Sequence, residues 1–137
     1  MDESDSTMAR QIAQVAIAFE KQRTGHLPKS VSVVLSEDTL VITLRGALSP
    51  AEMALARNPT GAAQLQELHR RLFASTSEPL RREIERITGI RVREATAGIE
   101  RITGTVVEVF MTGTVVQVFL LAERVKMQTW SDGPGDA

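Results

Sequence analysis

The 137-residue chain contains no cysteine, which removes disulfides, thiolate metal sites, cysteine nucleophiles and thiol redox switches together. Tyrosine is absent as well, and one tryptophan with four phenylalanines is a thin stock for stacking nucleobases. No apolar run approaches the ~20 residues that span a bilayer. The start, Met1-Asp2-Glu3-Ser4-Asp5, is acidic where a secretory leader is basic. Neither sign of charge dominates: sixteen Lys and Arg stand against seventeen Asp and Glu. That balance argues against a protein that coats nucleic acid or anionic lipid. What is present, 42 % hydrophobic and 24 % charged residues, is ordinary for a chain that buries a core. The expectation is one cytoplasmic domain over residues 1–130. A disordered tail is expected over 131–137, where Gly133-Pro134-Gly135 falls.

Periodicity supplies the elements. Met8, Ile12, Val15 and Phe19 recur at helical steps, with Lys21 and Arg23 in the last turn and Gly25 as the stop. Val31, Val33 and Leu35, then Leu40, Ile42 and Leu44, alternate with Ser, Thr and Val. A turn at Glu37-Asp38 pairs Leu35 with Leu40, Val33 with Ile42 and Val31 with Leu44, and puts all six on one face. Ser49-Pro50-Ala51-Glu52 is a capping box, and Asn58-Pro59 is a second cap-and-Pro pair. Leu65, Leu68, Leu72, Leu80, Ile84 and Ile87 then share one helical side, with Phe73 at its edge. The phase persists across Pro79, which predicts a kink rather than two helices, and Gly89 ends the element. Strands follow over 90–96, 105–111 and 114–122, the first leaving through a loop at Gly98. Gly104-Thr-Val-Val-Glu-Val-Phe recurs from Gly113 as Gly-Thr-Val-Val-Gln-Val-Phe. The predicted fold is α+β, a single antiparallel sheet of about four to five strands with helices on one face, in the order α-β-β-α-α-β-β-β.

Candidate chemistry is sparse. His26 and His69 lack any metal-ligand spacing, so no metal is expected and both read as surface or boundary residues. No Gly-x-Ser-x-Gly, Ser-x-x-Lys or phosphate loop occurs, and neither an enzyme nor a cofactor is expected. A hydrolase using His69 with Glu52 or a serine is the weakest alternative. Seven arginines gather between Arg70 and Arg93. They form either a solvated helix face of i, i+4 ion pairs or a contact surface, in which Arg70, Arg71, Arg81 and Arg82 meet an acidic loop, a lipid surface or an anion. Arg45, at the end of the hairpin, is a further anion-binding candidate. The repeated strands put Val106, Phe110, Val115 and Phe119 on one face and further valines on the other. Two apolar faces predict a homodimer or larger homo-oligomer, with those four residues at the interface.

Several motifs together resemble one bacterial family. Phe19-Glu20-Lys21 with Gly25-His26-Leu27-Pro28-Lys29-Ser30-Val31 resembles its first helix and strand entry. Leu44-Arg45-Gly46-Ala47-Leu48-Ser49-Pro50-Ala51-Glu52 with Leu55-Ala56 resembles its most recognisable motif, Leu72 to Gly89 its long helix, and Val107-Glu108-Val109-Phe110 its closing strand. The family is the MpsC type, named after a sodium-translocating, membrane-potential-generating system, and the likeness covers about residues 8–111. The resemblance implies a non-enzymatic accessory of an ion-coupled membrane system, encoded with membrane components for cation-coupled energisation and inorganic-carbon supply. It implies a membrane-protein partner and a place in the cytoplasm or at the inner membrane face, and it offers no catalytic residues to transfer; the charge balance and the few aromatics make a nucleic-acid partner unexpected. The alternative is a sensor of a small anion, bicarbonate or a phosphate-bearing ligand. The strand and tail after Met111 depart from the family pattern.

Overall fold

The structure, a computed structural model, describes residues 3–99 and 113–132. Its elements are α1 (Glu3–Thr24), β1 (Ser30–Arg45), α2 (Pro50–Leu55), α3 (Pro59–Thr88), β2 (Val92–Ile99) and β3 (Val115–Asp132). The fold is α+β, with a single antiparallel sheet in the order β1-β3-β2. Among the described residues three continuous strands are fewer than the four to five expected, and the hydrogen bonds explain the difference. Lys29 N–H donates to Arg45 C=O at 2.8 Å, and Arg45 Nη1 donates to Ser32 Oγ at 3.2 Å. Sixteen residues of straight strand would span ~50 Å, so β1 doubles back. It turns at Glu37, whose φ of 56° makes it the one non-glycine residue of positive φ among the described residues. The expected hairpin is therefore present inside one uninterrupted element.

β3 clasps that hairpin. Val115–Leu120 pairs with Leu44–Thr39, the returning arm, while Gln128–Asp132 pairs with Leu35–Val31, the outgoing arm. The stretch between passes the tip, where Glu37 lies opposite Val125. β2 pairs on the far side of the first half of β3. Both register shifts of the β1–β3 ladder fall at the tip, between Leu35 and Thr39. They move the inward residues from odd to even positions on β1.

The helices cover one face. α1 lies against β1, β3 and α3, and α3 lies against β2. Val31, Val33, Leu35, Leu40, Ile42 and Leu44 are all buried beneath them. Two stripes differ from their expected centres. In α1 the buried line is Ala9, Ile12, Ala13, Ala16 and Glu20, with Met8, Val15 and Phe19 only flanking it. In α3 it is Leu65, His69, Phe73, Leu80 and Ile84, whereas Leu68 is exposed. Alanines let α1 approach the sheet closely, which draws the contact line toward them. α3 runs unbroken through Pro79, as its apolar phase requires, and Gly25 and Gly89 follow α1 and α3 in left-handed conformations.

The C-terminal strands depart further from expectation. β2 runs through Gly98 to Ile99, and β3 continues from Val115 past Ala122 to Asp132. Ser131 therefore belongs to a strand and not to a tail. The expected strand over 105–111, with Val106 and Phe110, lies outside the described residues.

Candidate functional site

The capping box forms as its sequence requires. Ser49 Oγ accepts from Glu52 N–H at 3.2 Å, and Glu52 Oε1 accepts from Ser49 N–H at 2.9 Å. Glu52 Oε2 reaches across to α3 and meets His69 Nε2 at 3.0 Å, so the structure brings together the two residues that the weakest catalytic alternative had paired. His69 is 5 % exposed, which corrects its reading as a surface or boundary residue. Burial raises the Glu52 pKa, but the Ser49 N–H and the His69 hydrogen bond and charge outweigh it, and the carboxyl is held below its ordinary range. Both Glu52 oxygens are engaged, Oε1 in capping α2 and Oε2 in joining α2 to α3. Asn58 caps α3 by accepting Gly61 N–H at 2.7 Å, and Gly61 packs so closely that a Cβ there would lie 2.0 Å from Leu55 C=O. His26 Nε2 lies 3.0 Å from Gly46 C=O and ties the exit of α1 to the end of β1.

The helix arginines are paired along α3. Arg70 and Arg71 both reach Glu67, at 2.9 and 3.0 Å. Arg81 and Arg82 share Glu78 at 4.0 and 3.5 Å, and Arg86 holds Glu83 at 2.8 Å. Arg86 is also the main reason the Glu83 carboxyl sits below its ordinary range. Five arginines against four glutamates leave α3 a net charge of one. Arg45 follows the inward-facing Leu44 and so lies on the opposite face of the sheet. The structure does not bring it together with Arg70, Arg71, Arg81 and Arg82.

A groove of about 460 Å³ opens between α1 and α3, lined by Phe19, Gln22, Arg23, Ser75, Thr76 and Pro79. Arg23 pairs with the fully buried Glu20 and lies 5.7 Å from the centre of the Phe73 ring. Glu20 Oε2 has no hydrogen-bond partner. The signal for this buried carboxylate was present in the sequence, because Glu20 continues the Ala9, Ala13, Ala16 phase. Phe73 in turn meets Phe119 edge-on at 5.8 Å.

Val115 and Phe119 are 2 % and 0 % exposed, closed off by the chain's own helices. They are core residues, and the expected interface through them is corrected accordingly. The face of the sheet away from the helices carries Ser32, Val34, Val41, Thr43, Val116, Val118 and Leu120, none of them buried. Among the described residues no helix is long and apolar enough to cross a membrane, and no group of His, Asp and Glu is placed to hold a metal ion.

These features define a small α+β domain with one sheet face sealed by helices and the other left open. Residues 4–114 match the family model described as "Na+-translocating membrane potential-generating system (MpsC)", and the chain belongs to that family. The protein named "Uncharacterized protein YbcI" of Bacillus subtilis (strain 168) is 27 % identical over 110 residues, covering 80 % of this chain and 89 % of that relative. No solved structure matches.

Proposed function

We propose that this chain is a non-enzymatic accessory of an ion-coupled membrane system, an interaction module that supports the generation of membrane potential from the cytoplasmic side. The observation that carries the reading is the family match over residues 4–114. The geometry supports an interaction role. The two groups best suited to proton transfer, Glu52 and His69, are engaged with each other and with Ser49 in holding α2 on α3. The open sheet face is uncharged at its centre, where Val41 and Val118 are direct cross-strand neighbours. A small-anion sensor, at Arg45 or at the helix arginines, is less well supported, because Arg70, Arg71, Arg81 and Arg82 are each paired with Glu67 or Glu78.

Deleting the gene should lower the sodium-dependent membrane potential read with a voltage-sensitive dye, and the wild-type chain should restore it. An unchanged potential in the deletion strain overturns the accessory reading. His69→Gln retains a donor for Glu52 but cannot shuttle protons as imidazole does, so it should complement fully. Failure of a folded His69→Gln variant would return an enzyme to consideration.

A further inference from the structure

We infer that the groove between α1 and α3 is a binding site for a small neutral molecule that carries a carboxamide or cyclic amide on an apolar ring. Two unfavourable features of the chain meet there. α3 keeps an interior proline, which removes a helical hydrogen bond. α1 buries the Glu20–Arg23 ion pair, and such pairs are often less stable than apolar side chains in the same place. Pro79 and Arg23, one from each feature, both line the groove. Its volume of about 460 Å³ lies within the usual range of small-molecule sites.

Each feature supplies half of the recognition. Pro79 has no N–H, so Ser75 C=O, four residues earlier, loses its helical donor. A helix carbonyl points along the axis toward the residue four ahead, so this one is directed at the Pro79 ring, on the stretch of α3 that lines the groove. The nearby Ser75 and Thr76 hydroxyls donate elsewhere, both to Leu72 C=O, at 3.2 and 2.5 Å. On the facing wall the Arg23 side chain is 7 % exposed and held between Glu20 and the Phe73 ring. Its Nη2 donates to Glu20, and the guanidinium has further N–H groups to offer. The groove thus sets an acceptor on α3 against a donor on α1, with Phe19 and the Pro79 ring as apolar surface. An amide answers both, giving its N–H to Ser75 C=O and taking an N–H from Arg23.

Charge selects a neutral ligand. Arg23 is the one charged side chain among the described lining residues, and Glu20 cancels it. A carboxylate would compete with Glu20 for the same guanidinium, and an ammonium would face a like charge. Glu20 itself is fully buried with Oε2 unpartnered. It forgoes a hydrogen bond there while its other oxygen fixes Arg23. The site stands whether or not the accessory reading holds.

Titration of the full chain with benzamide, benzoate and benzylamine, three probes of one size and different charge, tests the proposal through backbone amide NMR shifts. Benzamide should give saturable shifts around residues 19–23 and 75–79, with a Kd of about 1 mM for so small a probe. Both ions should bind at least about tenfold more weakly. Pro79→Ala returns a donor to Ser75 C=O, so it should melt no lower than wild type and bind benzamide about tenfold more weakly. Glu20→Gln keeps the shape but leaves the Arg23 charge uncancelled, and should shift the preference to benzoate. No saturable shift with benzamide at about 20 mM overturns the proposal. So do equal shifts from all three probes, which would mean an apolar contact only. Wild-type affinity in Pro79→Ala overturns it as well, as does a folded Glu20→Gln variant that still prefers benzamide.

Discussion

Removing the Glu52 side chain isolates the joint between α2 and α3. In Glu52→Ala, Ser49 N–H loses its acceptor at 2.9 Å, and the buried His69 loses the oxygen 3.0 Å from its Nε2. Loss of a capping interaction costs about 1 kcal/mol, and a buried polar group left without its partner costs about 1–3 kcal/mol. Because Glu52 is partly exposed, water reaches part of the site, and the combined loss is taken as about 2 kcal/mol. For a domain of this size that lowers Tm by about 8 °C. The pH dependence has a fixed sign. The folded-state pKa of Glu52 lies below its ordinary value of 4.5, so the carboxylate contributes fully above 4.5 and its contribution fades as pH falls through the folded value. The stability gap between wild type and Glu52→Ala should thus be widest at pH 7 and narrow below pH 4. Urea unfolding followed by circular dichroism at pH 7, 4.5 and 3 reads this directly. A gap below about 0.5 kcal/mol at pH 7, within the usual scatter for surface substitutions, or a gap that widens in acid, would refute the joint.

Glu37 holds a left-handed conformation at the hairpin tip. Glu37→Gly should stabilise by about 0.5–1 kcal/mol, read as a rise in Tm, and a fall would show that the Glu37 side chain contributes more than its backbone strain costs. Gly61→Ala forces a Cβ against Leu55 C=O and should cost about 2–3 kcal/mol, with an unchanged melt as the contrary result. Gln117 is fully buried on the core face of β3, with neither end of its amide hydrogen-bonded. Gln117→Met should therefore stabilise by about 1–2 kcal/mol, and a loss of stability on chemical unfolding would contradict that.

Local chemistry made much of this architecture legible. The hairpin register follows from six residues whose inward phase changes between Leu35 and Leu40, and only a turn between them keeps all six inside. The capping box and the Asn58-Pro59 start follow from side chains that reach only three residues along the chain. Contacts across long separations were hidden. In the sequence Glu52 and His69 pair only as a weak catalytic alternative, and their role as a joint between α2 and α3 was not legible, although His69 stands four residues past Leu65 and four before Phe73 on the buried line of α3. Similarly, the clasp of β3 round the hairpin depends on Gln128–Asp132 finding the outgoing arm. Ala122-Glu123-Arg124-Val125-Lys126 carries no turn signature to mark where the chain crosses the tip. Leu68 misled because a leucine in helical phase reads as core, whereas the buried line of α3 runs beside it through Leu65, His69 and Phe73.

The sheet has one face sealed by helices and one left open, and a pair of aspartates tests that most directly. Val33 is fully buried under α1, while Val41 is half-exposed on the other side. A carboxylate at position 33 must be buried without a partner, at several kcal/mol, out of a total stability of about 5–15 kcal/mol. At position 41 it stays in water and costs about 1 kcal/mol in strand preference. Thermal unfolding should show little or no cooperative transition for Val33→Asp and a Tm within about 5 °C of wild type for Val41→Asp. Equal losses in the two variants would mean that both faces are buried, or neither, and would contradict the account.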